Sequence, residues 1–552
     1  MTSVDTGHRG SDSRLHSFGP THPQVWHGAP EQVAFDEQDI RAKLLNLNQP
    51  CFILRIEGRI GVANQGYLSD AEVRTKGSVE VLSALPPLVP RQLGDAQFMA
   101  SHGVVYPYAA GAMANGIASE ELVITLGKAK ILSSFGAGGL SPNRIATAIH
   151  RIQQALPQGP YAFNLLHSPS DPALERGGVD LYLKHDVRTL EASAFLDLTP
   201  ALVYYRAAGL SLEGGQPKVK NKVLAKISRR EVATKFLQPA PPKILGQLLE
   251  QGLITELQAN LAQRLPVADD ITVEADSGGH TDNRPLVCLL PSILGLRDDM
   301  QAKYRYECPI RVGAAGGIGS PQSALAAFMM GAAYVVTGSI NQSCLEAGAS
   351  LHTKRLLAQA QMPDVMMAPA SDMFELGVRV QVLKRGTFFP LRAQRLFDLY
   401  KNYDAIEALP HTEREQLEKQ IFRRSLESVW EETVAFFTQR DPSQLTRAAN
   451  NPKLKMALIF RWYLGLSSRW SNTGEQGREA DYQIWCGPAM GAFNDWVQGT
   501  YLAQPEARRV VEVAHHLMTG AAYLYRIQHL RLQGILMPPS FCQYRPVPME
   551  TI

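Results

Sequence analysis

The sequence predicts an α/β chain: a parallel (β/α)8 barrel of the TIM type, with an inserted helical cap and a mostly α-helical C-terminal region. Three observations predict it. From about residue 104, eight short apolar segments alternate with helical patterns, the signature of strand–crossover–strand units. The sixth segment runs into Gly278-Gly279-His280, which puts paired glycines and a histidine at a strand's C-terminal tip, where barrels place their chemistry. The seventh and eighth segments are followed by Gly316-Gly317 and Gly338-Ser339, the two places where such barrels hold phosphate on backbone N–H groups. An open doubly wound sheet would use the same local pattern. The strand count and the two late glycine loops favour the barrel.

The elements follow in order. Residues 1–94 form an N-terminal segment whose first seventeen residues are polar, mixed in charge and expected to be disordered. Residues 51–63 read as a hairpin with Glu57-Gly58 near the turn. Leu85-Pro86-Pro87-Leu88-Val89-Pro90 marks a boundary. The barrel is expected over 95–395, with strands at 104–111, 130–135, 161–166, 187–192, 222–227, 271–275, 310–314 and 334–337. Ser119 before Glu120-Glu121, and Ser141 before Pro142, read as helix N-caps. Between strands five and six, residues 239–269 carry Ile244-Leu245 and Leu248-Leu249 at helical spacing. They read as a small helical cap beside the barrel mouth. Residues 396–552 are expected to be mostly helical, with helical stretches at 411–439, 451–466, 481–501 and 506–532.

Composition narrows the function. The 552 residues are 45% hydrophobic and 19% charged, within the range of globular proteins. Fifty-five basic and 52 acidic residues leave a net charge of +3, which gives no reason to expect nucleic acid or a membrane surface as partner. Six cysteines without CxxC spacing read as free thiols in a reducing compartment. No uncharged apolar run approaches the roughly 18 residues needed to span a bilayer. A cytoplasmic protein is expected.

Several residues could carry chemistry. Gly278 and Gly279 let the backbone approach a flat ligand closely. His280 can donate a proton near neutral pH, although a lone histidine is more often structural. Lys226 sits in an apolar strand run, where burying its charge needs a reason: it either faces negative charge on a ligand or reaches solvent at the strand tip. Asn164 either binds a ligand edge or ties down a loop. Glu191 and Asp276 either orient a ligand or pair with Lys226 or Arg188. Asp276 and Asp282 flank the glycines without further clustered carboxylates, so no metal is expected.

In order along the chain stand Ala110-Gly111-Ala112-Met113-Ala114, Phe135-Gly136-Ala137-Gly138-Gly139-Leu140, Asn164, Ser277-Gly278-Gly279-His280, Ala314-Ala315-Gly316-Gly317-Ile318 and Gly338-Ser339. This series resembles the superfamily of FMN-dependent enoyl reductases and nitronate monooxygenases. Three longer segments narrow the resemblance: Ala112 to Leu122, Asp276 to Pro285, and Phe460-Arg461-Trp462-Tyr463-Leu464-Gly465-Leu466. With these the chain resembles the PfaD-type enoyl reductases, which work in trans for polyunsaturated fatty-acid and trans-acyltransferase polyketide synthases. The resemblance covers roughly residues 95 to 535. It implies FMN as cofactor and NADPH or NADH as hydride donor, with reduction of an α,β-unsaturated thioester carried on an acyl carrier protein. It maps the catalytic histidine onto His280 and the phosphate loops onto Gly316, Gly317, Gly338 and Ser339. Ala110, Gly111 and Met113 would line the isoalloxazine, with Asn164 at its edge. Lys226 as a partner of reduced flavin is a physical inference added to that. Carrier proteins are usually acidic, so Lys384-Arg385 and the arginines of 392–395 are candidates for a docking patch, against a plain solvated face. A homodimer is one assembly the sequence allows. Two other functions remain open at this point, a nitronate monooxygenase-like flavin oxidase and a non-catalytic synthase scaffold.

Overall fold

The computed structural model describes residues 24–70, 79–169 and 171–549. The expected disorder of the first seventeen residues lies outside them. The described residues divide into two compact units: those up to Val89 with Tyr525–Cys542, and Pro90–Leu524 with those from Gln543 onward.

The first unit is a five-stranded antiparallel sheet in the order Arg59–Ala63, Cys51–Ile56, Glu80–Leu85, Gln24–His27, Tyr67–Asp70. The expected hairpin is there, with Ile56 opposite Arg59. Glu57 and Gly58 turn it with φ of 50° and 79°, both left-handed, as a two-residue turn that matches strand twist requires. Arg526, fully buried, donates to the carbonyls of Leu44, Asn46 and Gln49 at 2.8 to 3.0 Å. Its guanidinium thereby satisfies orphan carbonyls at and just beyond the end of the helix Glu37–Leu45.

The second unit contains the predicted barrel. Its strands are β1 (Tyr108–Ala110), β2 (Leu132–Phe135), β3 (Ala162–Leu166), β4 (Thr189–Ser193), β5 (Lys222–Ile227), β6 (Asp270–Glu274), β7 (Arg311–Ala315) and β8 (Val335–Thr337). Each pairs in parallel with its neighbours, and β8 closes on β1. All eight expected strands are present. β1 is shorter than expected, and β2 starts two residues late because Lys130 takes a left-handed φ of 55° at the preceding turn. Ser119 and Ser141 cap their helices, accepting from Leu122 N and Arg144 N.

The bottom of the barrel is a packed plug. Phe98 stacks on Tyr334 at 4.1 Å between centroids, beside Leu132, Leu224 and Val336. Next to it Asp270, fully buried, accepts two hydrogen bonds from Arg311 (2.6 and 2.9 Å) and pairs with His102 at 2.9 Å. Burial opposes the charged carboxylate, but His102 and Arg311 outweigh it and hold Asp270 below its ordinary value. A carboxyl lowered in the folded state stabilises the fold above its unfolded pKa and loses that contribution as pH falls. Asp270→Asn is expected to leave Arg311 buried and unpaired and to cost about 3 to 5 kcal/mol of stability, read as a lowered urea midpoint at neutral pH.

Three expectations need correction. The inserted helices, Pro242–Glu250 and Glu256–Ala262, leave the end of the helix Arg230–Leu237 and return to the start of β6. They therefore lie at the N-terminal end of the strands, away from the mouth, because a crossover helix runs antiparallel to its strand. The expected long helix at 411–439 is broken. A π-helical turn at Leu417–Phe422 ends at Arg423 (φ 59°), and Ser425 caps a new helix, Leu426–Arg440. The stretch at 481–501 is helical only over Ala489–Val497, since Gly487-Pro488 stops the pattern from starting earlier. Among the strands that were not anticipated, two bear on the barrel mouth: β9 (Val365–Pro369) and β10 (Arg379–Leu383), antiparallel, with Gly279–His280 added to the edge of β10. Among the described residues no helix is long and apolar enough to cross a membrane.

Candidate functional site

The C-terminal ends of the barrel strands gather most of the residues singled out in the sequence. Gly111, just past β1, donates its N–H to Thr337 O at 3.0 Å, tying the ends of β1 and β8 together. The next residue, Ala112, donates to both oxygens of Glu191 at 3.2 and 3.3 Å. The chain from Met113 to Ala118 then lies on the loop after β2: Ala118 N donates to Met113 O, and Asn115 N to Gly138 O. A Cβ at Gly136 would collide with Met113 O, so only glycine lets these two segments touch. Asn164 Oδ1 accepts from Gly138 N at 3.0 Å, so this amide ties down the same loop.

Lys226 is surrounded by carboxylates. Its Nζ lies 3.0 Å from Glu274 Oε1 and 3.7 Å from Glu191 Oε1. Burial opposes its charge, but the two acids outweigh that and raise its pKa. Glu191 is pushed up by its own burial, which Lys226 offsets in part. The ammonium is thus compensated inside the barrel and holds Glu191 against Ala112.

The two late glycine loops stand at neighbouring strand ends, after β7 and β8. Gly316 and Gly317 have φ of 82° and 75°. A Cβ at Gly316 would come within 2.6 Å of the Ala275 carbonyl carbon, whereas Gly317 and Gly338 face open space, with nothing within 4 Å of a Cβ. Among the described residues, no acceptor takes the N–H groups of Gly317, Ile318, Gly338 or Ser339. Ser339 Oγ is engaged, accepting from Gly487 N at 3.0 Å. Two hydroxyls at strand ends, Ser193 Oγ at the end of β4 and Ser277 Oγ after β6, are buried without a protein partner. Buried polar atoms are seldom left unpaired unless a ligand or water completes them. Open glycines, unpaired N–H groups and orphan hydroxyls together fit a phosphate-bearing ligand across these strand ends.

The Gly278-Gly279-His280 loop is held from below by a polar lattice. Gln381 donates to Asp276 Oδ1 (2.7 Å) and to Ser277 O (2.8 Å), and Asn283 donates to Asp276 and to Gln381 Oε1. Asp282 is bound by both Arg229 nitrogens at 2.9 Å and by Ser228. These carboxylates shape the loop, and no group of His, Cys, Asp or Glu among the described residues is arranged to hold a metal ion. His280 Nε2 is buried, and it lies 3.2 Å from Asp372 Oδ2 without an aligned hydrogen bond. Burial opposes protonation of the ring. Asp372 and, behind it, Glu274 outweigh that and raise the pKa of His280. The geometry provides a histidine whose protonated form is favoured by its acidic neighbours, on the loop that follows β6.

Sequence reasoning missed two contributors. Asp372 lies in the turn between β9 and β10, ninety-two residues past His280, with no motif around it. The segment Trp485-Cys486-Gly487-Pro488 packs directly on the glycine loop: a Cβ on Gly278 would meet Cys486 N at 2.8 Å, and one on Gly319 would overlap Ala489 O. The Gly487-Pro488 pair was the one available signal. Burial pushes the Cys486 thiol up to about 12, so it is a packing group. The candidate docking patch also shrinks: Arg392 pairs with Asp481, Arg395 with Glu413 and Arg385 with Asp364 (3.4 Å), which leaves Lys384.

Comparison with known proteins places this architecture. Residues 26–87 match the family model of the fatty acid synthase subunit PfaD N-terminal domain. Residues 403–482 match the inserted helical domain of [acyl-carrier-protein] S-malonyltransferase. The chain is 48% identical over 518 residues to a polyunsaturated fatty acid synthase subunit from a Thraustochytrium species, covering 92% of this chain and 34% of that protein. It is 46% identical over 448 residues to the polyketide biosynthesis protein PksE of Bacillus subtilis, covering 81% of this chain and 58% of that one. The chain thus spans about a third to three fifths of these two relatives. Among solved structures, the enoyl reductase domain of MlnA, from the macrolactin biosynthesis cluster of Bacillus amyloliquefaciens, superimposes with a TM-score of 0.76 at 38% identity, over 80% of this chain and 99% of that domain. With its N-terminal domain matched and 38% identity over 99% of the MlnA domain, the chain belongs to the PfaD-type enoyl reductase family.

Proposed function

We propose that this chain binds FMN across the C-terminal ends of β1, β7 and β8. There it reduces the α,β double bond of an enoyl thioester carried on an acyl carrier protein, with NADPH or NADH as hydride source. The observation that carries this reading is the pair of open glycine loops at neighbouring strand ends, Gly316-Gly317 and Gly338-Ser339, with unpaired N–H groups on both. The names of the synthase relatives and of the MlnA domain support the same chemistry.

When bound, FMN supplies a hydride for the β-carbon of the enoyl thioester. The N–H groups of Gly317, Ile318, Gly338 and Ser339 would hold its phosphate, as unpaired backbone donors hold anions. Ala110, Gly111 and Met113 would form the wall under the ring, set in place by the Ala112–Glu191 contact that Lys226 supports. Gly278 and Gly279 keep side chains away from the reacting face. His280 would give a proton to the α-carbon, neutralising the enolate that hydride addition leaves.

Anaerobic mixing of the purified protein with NADPH or NADH, then with an enoyl thioester on a carrier protein, tests the reading through flavin absorbance. Bleaching by nicotinamide, followed by recovery on adding the enoyl carrier, is the expected result. Anaerobic bleaching by a nitronate in place of nicotinamide, with no recovery on adding the enoyl carrier, would favour a flavin oxidase. A protein that takes up no flavin would favour the scaffold.

A further inference from the structure

We propose that Asp372 is the positioning residue for His280: its carboxylate turns Nε2 inward and leaves Nδ1 as the nitrogen that gives up a proton. This rests on the enoyl reductase reading for its role in turnover, but the pairing stands on geometry.

Nε2 is buried and faces Asp372 Oδ2 at 3.2 Å. Nδ1 makes no hydrogen bond to the described residues and is not among the buried unpartnered atoms, so it is the ring nitrogen with open access. A carboxylate on one nitrogen fixes which tautomer remains after the proton leaves the other, the logic of acid–histidine pairs. In the step itself the Nδ1–H bond breaks and a Cα–H bond forms. The imidazole is left neutral with its proton on Nε2, and solvent restores the proton at Nδ1.

Asp372 comes from outside the barrel, and its turn is built to hold still. His280 itself extends the sheet edge, opposite Val380 of β10. Ala370 N donates to Val378 O at 2.9 Å, closing the β9–β10 turn around Asp372. Phe374, fully buried, packs among Phe397, Tyr400 and Phe460. Arg461 pairs with Glu375 at 3.0 Å. Phe460 and Arg461 belong to the sequence motif 460–466, which had no evident role. Its role here is to brace the turn that carries Asp372. The charged groups that bear on the histidine are Asp372 on the turn and Glu274 at the end of β6. Lys226 lies behind Glu274, and Arg461, on the helix Pro452–Thr473, behind Asp372.

The test uses the full-length protein with 15N-labelled histidine, His280 being assigned by comparison with His280→Gln. Asp372→Asn is expected to lower the His280 titration midpoint by about 1 pH unit or more, and Asp372→Glu to restore most of it. The alkaline limb of kcat for enoyl reduction should move to lower pH by the same amount, while flavin bleaching by nicotinamide is unchanged. An unmoved His280 midpoint in Asp372→Asn, with the fold intact by circular dichroism, overturns the proposal. A midpoint that shifts as expected in a protein inert toward enoyl thioesters upholds the pairing and defeats the enoyl reductase reading instead.

Discussion

Gly317→Asp is expected to purify colourless and to remain so when FMN is added. Gly317 stands beside the N–H groups proposed for the phosphate, and its Cβ direction is open. An aspartate there has room to fold, so the variant tests charge rather than packing. A carboxylate roughly 4 Å from a phosphate, at the effective dielectric of a protein surface, costs about 4 kcal/mol per unit charge. That weakens binding by about a thousandfold. Gly317→Ala is the control. It bears the strain of a left-handed φ, roughly 1 kcal/mol, with no charge and no contact. It should keep most of its flavin. The readout is the flavin absorbance per protein after gel filtration, with the thermal midpoint as a check on folding. Full occupancy in the aspartate variant would place the phosphate elsewhere.

His280→Ala is expected to lower kcat for enoyl reduction by about 10² to 10⁴, the range of a general acid, and to leave flavin content and reduction by nicotinamide intact. The division matters because His280 stands on a loop that Gln381, Asp276 and Asn283 hold without its help. Removing the ring therefore leaves the glycine approach in place. The pH dependence has a definite sign. Partnered by Asp372, His280 has a raised pKa, so the donor form persists to higher pH than in an unpartnered imidazole and is lost as pH rises through the raised value. Wild-type kcat should fall on the alkaline side, and His280→Ala should lose that limb. Stopped-flow measurement of the two half-reactions separates the effects. An unchanged oxidative half-reaction would remove His280 from proton transfer.

The relatives bear on why a barrel enzyme carries so much chain outside its barrel. Two described segments outside it reach the strand ends: the β9–β10 turn with Asp372, and Trp485 to Ala489 against Gly278 and Gly319. The helical insertion braces the first of these through Phe460 and Arg461. It is further knit by Asp481, fully buried among Arg392, Arg423, Arg478 and Tyr463. Arg392 therefore reads as internal structure, although by sequence it was a candidate for the carrier surface.

Short-range physics was enough to make the barrel legible, along with its eight strands, the caps at Ser119 and Ser141, the Glu57-Gly58 turn and the glycine loops that face the proposed ligand. Apolar alternation, the hydroxyl of a capping serine and the freedom of glycine at positive φ all act within a few residues. What lies across from those residues is a matter of long-range packing. Pairing of Glu191 with Lys226 was one of the readings open in the sequence, but nothing local to Lys226 predicts that Glu274, on a third strand, takes the closer share of its charge. The inserted helices went to the bottom of the barrel because a crossover's direction, not its composition, sets where it ends. Asp372 meets His280 because β10 adopts Gly279–His280 as a third strand, a pairing across a hundred residues set by backbone hydrogen bonds that any side chains could make.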